Sequence, residues 1–234
     1  MITSASFHLL HEFEQLVNLI NEKDHILSVH TAEVWMGPFS MQVSKETFSE
    51  LKETNKLKGW KPPAHELFGF MHGESITMWQ ARPNWETFSA DTSTQLNSEL
   101  RSDIQQAMDG LHQAVINNNQ EQICLATHKL VGRGNGLTPT GDDVLIGTMH
   151  GLHVLGWDQA IIEMIGQSTI GRTTSLSGQF VQAAVVGEAT EPWHQLLAGD
   201  ANALENILSV GATSGKDAWI GFVGMIRAAE STSA

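Results

Sequence analysis

The residues best suited to chemistry stand together in residues 132–143, whose sequence is GRGNGLTPTGDD. Its three alternating glycines, Gly132, Gly134 and Gly136, cost backbone entropy on folding and therefore need a geometric reason. A loop of this kind turns sharply and can direct several backbone N–H groups to one point. Where such a loop leads into a helix N-terminus, it binds anions, usually phosphate or carboxylate. We therefore predict a small-anion site in which the N–H groups of residues 134–138 hold the ligand.

The helix that follows the loop is predicted from the next residues. Thr138 suits the N-cap, and Pro139 suits the first helical position, where its missing N–H is no loss. Residues 144–155 are apolar almost all the way round. A helix of that composition is normally surrounded by other helices.

Two aspartates, Asp142 and Asp143, fall in the first turn of this helix. One interpretation is structural, because acidic side chains there complement the helix dipole by roughly 0.3–1 kcal/mol. The other is that they are catalytic or hold a divalent cation such as Mg²⁺ through oxygen ligands. Successive helical residues point about 100° apart. We therefore expect one aspartate to face the site and the other to anchor the loop by accepting its N–H groups.

Two further polar clusters, residues 171–177 and 211–217, each precede a predicted helix. Ordinary N-capping, by Thr173 or Thr174 in the first and by Thr213 or Ser214 in the second, accounts for one hydroxyl apiece. The surplus hydroxyls favour a shared site, in which three helix N-termini converge on one negatively charged ligand. The residues predicted to line it, besides the loop, are Thr173, Thr174, Ser177, Ser214, Gly215 and Asp217.

Other candidates carry less weight. His150 and His153 lie on one face of the central helix and could bind a metal, but they lack the HExxH pattern, so structural roles are favoured. Arg133 and Arg172 lie in glycine-containing loops, where an arginine fork would suit a carboxylate or phosphate. A solvent-facing arginine is equally compatible with the sequence. Three histidines of the N-terminal region could line a cleft: His30, His65 and His72.

The composition limits the partners. The 234 residues include 13 Lys and Arg against 26 Asp and Glu, a net charge of −13. Nucleic acids and anionic membranes both demand a basic surface, so neither is expected as the main partner. A small anion is still compatible, because a nest of N–H groups binds it without lysine. No basic and apolar leader and no bilayer-length apolar run is evident, which predicts a cytoplasmic protein.

The periodicity predicts an α+β protein, with a small mainly-β N-terminal region and a larger all-helical C-terminal region. Residues 1–90 form a mixed α/β region with a small sheet or barrel. Within it we predict a helix over 5–22, strands over 26–36 and 39–43 around the Gly37-Pro38 turn, and a helix from Ser44 through Leu51. A hairpin is predicted over 66–71 and 75–80.

Residues 91–234 form the helical region that carries the glycine-rich motif. Apolar residues step by three and four from about residue 92 to 116, and Asn117-Asn118-Asn119 ends that helix. A second helix is predicted over 120–130. Beyond the central helix, further helices are predicted near 158–166, 174–187, 191–197, 201–208 and 215–229.

The central motif resembles the signature of the AllH-like family. The residues that carry the resemblance are Gly132-x-Gly134-x-Gly136-Leu137-Thr138-Pro139-Thr140-Gly141-Asp142-Asp143, then Leu145 and Gly147. Two later segments resemble the C-terminal motifs of the family: Thr173-Thr174-x-x-Ser177 and Gly211-x-Thr213-Ser214-Gly215-x-Asp217. Weaker echoes of its N-terminal region are Val17-Asn18-Leu19 and Gly37-Pro38.

The resemblance implies oxamate carbamoyltransferase activity, in which oxalurate and phosphate give oxamate and carbamoyl phosphate during allantoin breakdown. It also implies companion subunits, or a homo-oligomer, and a small anionic substrate such as phosphate, carbamoyl phosphate or oxalurate. Two alternatives stay open. One is a non-catalytic metabolite-binding or regulatory subunit. The other is a metal-dependent hydrolase that uses the aspartate pair.

Overall fold

The structure is a computed structural model, which describes residues 7–56, 77–78, 81–88 and 100–232. The chain divides into two compact units, Met1–Ala81 and Arg82–Ala234. The first contains the sheet and the second is helical, which confirms the predicted α+β class. No helix among the described residues is both long and apolar enough to cross a bilayer.

The first unit contains a five-stranded sheet and one helix. The strands are β1 (Phe7–Glu12), β2 (Leu16–Asn21), β3 (Ile26–His30), β4 (Ser40–Gln42) and β5 (Thr77–Met78), and the helix is α1 (Lys45–Lys56). The strands lie in the order β1-β2-β3-β4-β5, and β3 and β4 are parallel while the other neighbouring pairs are antiparallel. Phe48 and Leu51 of α1 belong to the same apolar core as Val17 and Leu19 of the sheet.

The helix predicted over residues 5–22 is wrong, because this segment forms the β1–β2 hairpin. Its turn is closed by the Phe13 N–H, which donates to the Leu16 carbonyl at 2.8 Å. Strand β2 lies between β1 and β3, and all its residues but the first are buried. A strand buried on both faces has a continuous apolar run, which fits helical spacing as well as strand spacing.

The remaining N-terminal predictions are confirmed in outline. The strand predicted over 26–36 already ends at His30, since the Val34 N–H turns back to the Thr31 carbonyl at 3.2 Å. The turn at Gly37 is present, because the Ser40 N–H donates to the Gly37 carbonyl at 3.2 Å. Ser44 begins α1 as expected and accepts the Thr47 N–H at 3.2 Å. The predicted strand over 66–71 and most of 75–80 lie outside the described residues.

The second unit contains eight α-helices within its described residues, after a short 3₁₀ helix at Trp85–Thr87. They are α2 (Ser102–Ile116), α3 (Gln120–Leu130), α4 (Thr140–Val154), α5 (Gln159–Thr169), α6 (Ser175–Val185), α7 (Glu191–Leu197), α8 (Ala203–Leu208) and α9 (Ser214–Thr232). Each matches a predicted helix to within a few residues, apart from the start of the first, where residues 92–99 lie outside the described part. Asn119 caps α3 by accepting the Gln122 N–H at 3.1 Å.

Helix α4 is the central helix of this unit, and it touches α9 backbone to backbone. A Cβ on Gly147 would lie 1.7 Å from the Ala218 carbonyl oxygen, and one on Gly221 would lie 2.2 Å from that of Val144. Only glycine permits such an approach. The contact explains why α4 is apolar on nearly every side, as predicted, and it fixes the rotation of α4 about its axis.

Candidate functional site

Helices α4, α6 and α9 begin at the same place and run in the same direction. At their N-terminal ends, Thr138 contacts Ser214 through their hydroxyl oxygens at 2.8 Å, and the Ser177 hydroxyl donates to Asp142 at 2.7 Å. Farther along, the ring of His153 near the end of α4 reaches the Ala184 carbonyl near the end of α6. The predicted convergence of three helix starts is therefore present in the structure.

Asp142 is the residue that holds the three segments together. Its side chain is completely buried. One carboxylate oxygen accepts the Gly132 N–H at 2.7 Å, and the other accepts the hydroxyls of Thr173 and Ser177. Asp142 is thus the anchoring aspartate, and the N–H and hydroxyl donors that it uses are occupied from within the protein.

Asp143 has a different environment. It is 4% exposed, and its Oδ2 atom has no hydrogen-bond partner within the described residues. Burial raises the pKa of the Asp143 carboxyl to about 8, and the neighbouring charges of Asp217 and Asp142 add to the increase. The hydroxyls of Ser214 and Thr138 oppose it in part. At neutral pH this carboxyl is therefore mostly protonated and uncharged.

Asp217 lies close to Asp143 in the first turn of α9. It is 6% exposed, and its Oδ2 atom also has no hydrogen-bond partner in the described part of the chain. Burial raises the pKa of this carboxyl as well, while the hydroxyls of Thr140 and Thr213 lower it. The starts of α4 and α9 thus bring together two buried carboxyls, each with one oxygen left open.

The loop glycines serve different needs. Gly132, Gly134 and Gly136 all have positive φ angles, of 70°, 118° and 96°. A Cβ would lie 2.8 Å from the Arg172 carbonyl oxygen at Gly132 and 2.7 Å from the Thr140 nitrogen at Gly134. Gly136 has open space around it, so its conformation alone requires glycine. Gly215, predicted to line the site, packs so that a Cβ would lie 1.8 Å from the Ile207 carbonyl oxygen, and this steric demand by itself requires glycine there.

The loop also leaves backbone donors available. Arg133 and Gly141 close it, because the Gly141 N–H donates to the Arg133 carbonyl at 2.7 Å. Between them, the N–H groups of residues 134–138 donate to no acceptor among residues 100–232. These are the donors that the sequence predicted for the anion.

The predicted N-cap at Thr138 is wrong. Pro139 occupies that position, and its carbonyl accepts the N–H groups of Asp142 and Asp143 at 2.9 and 3.1 Å. The helix therefore starts one residue later than expected, and the Thr138 hydroxyl is free to contact Ser214. At α6, Thr174 is the N-cap and accepts the Ser177 N–H at 3.1 Å. Its hydroxyl also donates to the Leu137 carbonyl, which ties this loop to the glycine-rich one.

The histidines of α4 have structural partners. The Nε2 atoms of His150 and His153 lie 3.3 and 2.9 Å from the carbonyl oxygens of Glu188 and Ala184, and both rings stack on Trp85. Burial lowers the pKa of His150 to about 3. Throughout the described ranges, no group of three or more His, Cys, Asp or Glu side chains is placed to hold a metal ion.

The other weak candidates lie apart from the carboxyl pair. His30 is buried in the sheet of the first unit, with its Nδ1 2.9 Å from the Thr31 carbonyl oxygen. His65 and His72 fall outside the described residues. Arg133 and Arg172 are both exposed.

Sequence reasoning missed three participants. Thr140 and Thr213 interact with Asp217, and the Leu137 carbonyl receives the Thr174 hydroxyl. The two threonines belong to the motifs, and their positions beside a helix start were the available signal. A main-chain carbonyl leaves no mark on the sequence, so Leu137 could not have been singled out.

Comparison with known proteins identifies one family. Residues 130–226 match the family model described as oxamate carbamoyltransferase subunit AllH, which confirms the predicted resemblance over that range. The match begins at the last residue of α3 and extends into α9, so it includes all three helix starts. Neither the curated proteins nor the solved structures gave a match.

Proposed function

We propose that this chain, part of which matches the family of an oxamate carbamoyltransferase subunit, binds a small anionic substrate where α4, α6 and α9 begin. The substrate would be phosphate, carbamoyl phosphate or an oxalurate-like acid, in nitrogen metabolism related to allantoin. The observation that carries the proposal is the combination of unused loop N–H groups with the buried, partly unpartnered Asp143 in one place.

Electrostatics supports a negative ligand there. Each helix N-terminus carries the equivalent of roughly half a positive charge, and three parallel helices place these partial charges together. The Asp142 carboxylate offsets some of this potential. Since Asp143 is mostly uncharged at neutral pH, it does not cancel the remainder. A protein with a net charge of −13 can therefore still offer a local anion site.

The geometry also supports a role for Asp143 in carbamoyl transfer. In the direction that consumes oxalurate, a phosphate oxygen bonds to the carbamoyl carbon while the bond from that carbon to the oxamate nitrogen breaks. The leaving nitrogen gains one proton and hydrogen phosphate loses one. We assign this exchange to Asp143, which would give its proton to the nitrogen and recover one from phosphate. General acid–base catalysis of this kind contributes about 10²- to 10⁴-fold in rate.

The role of the remaining residues follows from their contacts. The N–H groups of residues 134–138 would hold the anion, while Asp142 would act as a positioning residue that fixes the loop through Gly132. The hydroxyls of Thr173 and Ser177 would support Asp142. Those of Thr138, Thr174 and Ser214 would line the site.

A second candidate function is favoured by one specific observation, the word subunit in the description of the matched family. In that case the chain would bind the metabolite and a companion subunit would perform the chemistry. This candidate predicts ligand binding without any dependence of turnover on the Asp143 proton.

The test is an assay of oxalurate formation from oxamate and carbamoyl phosphate. It uses the full chain alone and the complex that copurifies with it. We expect turnover to fall at least about 100-fold in Asp143→Asn. The matched control is Asp103→Asn, which changes an exposed first-turn aspartate of α2. Turnover that survives Asp143→Asn while ligand binding persists would support the regulatory candidate. Failure of every small anion to bind would overturn both.

A further inference from the structure

The open oxygens of Asp143 and Asp217 define the chemistry of a ligand. Both Oδ2 atoms are buried, and neither has a hydrogen-bond partner within the residues that the structure describes. A buried polar atom left without a partner costs about 1–3 kcal/mol. Such a cost at two neighbouring atoms is explained when a ligand completes their hydrogen bonds.

The surroundings leave these two atoms as the positions still to be filled. Hydroxyls of Ser214 and Thr138 interact with the Asp143 carboxyl, and those of Thr140 and Thr213 interact with that of Asp217. The two aspartates belong to helices whose first turns lie together, and each interacts electrostatically with its neighbours there. The site therefore presents two oxygens to one small group.

We propose that Asp143 and Asp217 together bind the two N–H hydrogens of a primary amide, so that the substrate class is a small carboxylate bearing an amide or carbamoyl NH₂ group. This inference rests on the proposed function, because the loop N–H groups would hold the carboxylate end of the same molecule. It assigns Asp217 a part in substrate recognition and gives the substrate a direction in the site.

A neutral N–H donor suits the pair better than a cation does. Burial raises the pKa of both carboxyls, so they carry less negative charge than two ordinary aspartates. A metal ion prefers ionised oxygen ligands in larger number. A second carboxylate on the ligand would meet oxygens that repel it, which would disfavour dicarboxylates.

The test compares two ligands of nearly the same shape and charge. Oxamate carries an NH₂ group where pyruvate carries a methyl group, and both carry the carboxylate. We expect the full chain to bind oxamate at least about 10-fold more tightly than pyruvate by calorimetry, because the methyl group leaves both oxygens unpartnered. In Asp217→Ala the preference should fall to less than about threefold, whereas Asp103→Asn should retain it.

The outcomes separate this inference from the proposed function. Binding of phosphate and of both ligands with equal affinity by the unaltered chain would overturn amide recognition and leave the anion site intact. A stabilisation by Mg²⁺ alone that is lost in Asp217→Ala would identify a metal site and overturn it as well. If neither phosphate nor either ligand binds, the proposed function itself fails. The comparison within the unaltered chain is decisive even if Asp217→Ala does not fold.

Discussion

Asp142 and Asp143 are adjacent in the sequence yet meet different surroundings. Asp142 accepts three hydrogen bonds from the loop and from α6, and is fully buried. Asp143 points toward α9 and keeps one oxygen open. The division of roles follows from the angle of about 100° between successive helical residues. It was predictable from the sequence, but which aspartate takes which role was not.

The raised pKa of Asp143 has a consequence for stability. In the unfolded chain this carboxyl ionises near its ordinary pKa of 3.8, whereas in the folded protein it ionises at about 8. Between these values the folded protein keeps a proton that the unfolded chain has lost. The stability associated with Asp143 is therefore fully present below about pH 4 and is lost as the pH rises through 8.

Replacement by asparagine removes this titration and keeps the size of the side chain. We expect the free energy of unfolding of Asp143→Asn, relative to the unaltered protein, to increase with pH by up to about 1.4 kcal/mol per pH unit, levelling off above pH 8. Denaturant unfolding of the ligand-free proteins from pH 5 to 9 measures it. Buried histidines affect both proteins alike, so they cancel in the difference. A difference that stays constant across this range would show that Asp143 ionises normally.

At the scale of the elements, the contact of α4 with α9 determines where the site lies. Gly147 and Gly221 let the two backbones touch, and this contact fixes which face of α4 turns toward the start of α9. A change at either glycine should therefore disturb both the core and the carboxyl pair.

Gly147→Ala tests that arrangement. Its Cβ would lie 1.7 Å from the Ala218 carbonyl oxygen, so α4 and α9 must separate. We expect the free energy of unfolding to fall by about 3 kcal/mol or more. Gly110→Ala is the matched control, because this glycine lies inside α2 with nothing within 4 Å of a Cβ. It should stabilise the protein by about 0.5–1 kcal/mol, since alanine has the higher helix propensity. Equal effects of the two changes would contradict the contact.

The helices show how much of the fold could be predicted. From Ser102 onward, local signals agree with the structure: Asn119 and Thr174 cap the helices they precede, and the apolar period marks their lengths. Residues 5–22 were assigned to the wrong element, because the burial of β2 on both faces depends on β3, which pairs with it from elsewhere in the chain. Helical period and buried strand cannot be separated without that long-range pairing.

The candidate site was predicted to a similar extent. The motifs indicated three helix starts around one place, and their side chains do meet there. The unpartnered oxygens of Asp143 and Asp217 could not be predicted, since they depend on the burial produced by α9 and on which hydroxyls reach each carboxyl. Thr138 likewise showed a valid capping signal, but its hydroxyl contacts Ser214, 76 residues later in the chain.

For the molecule as a whole, an acidic protein is proposed to bind an anion. Its net charge of −13 opposes such a ligand at long range. Within the helical unit, three parallel helix starts, unused N–H groups and uncharged carboxyls provide local compensation. Because salt screens the long-range repulsion but acts less on buried groups, the affinity of the site should depend mainly on these short-range donors.

The N–H groups of residues 134–138 can be observed directly by hydrogen exchange, since nothing in the described helical unit protects them without ligand. With saturating oxamate or phosphate, we expect their exchange to slow by at least about tenfold. The corresponding free energy is about 1.4 kcal/mol, within the range of hydrogen bonds to charged groups. Exchange in α2 should change little. Unchanged exchange at residues 134–138 while a bound anion protects another part of the chain would contradict the account.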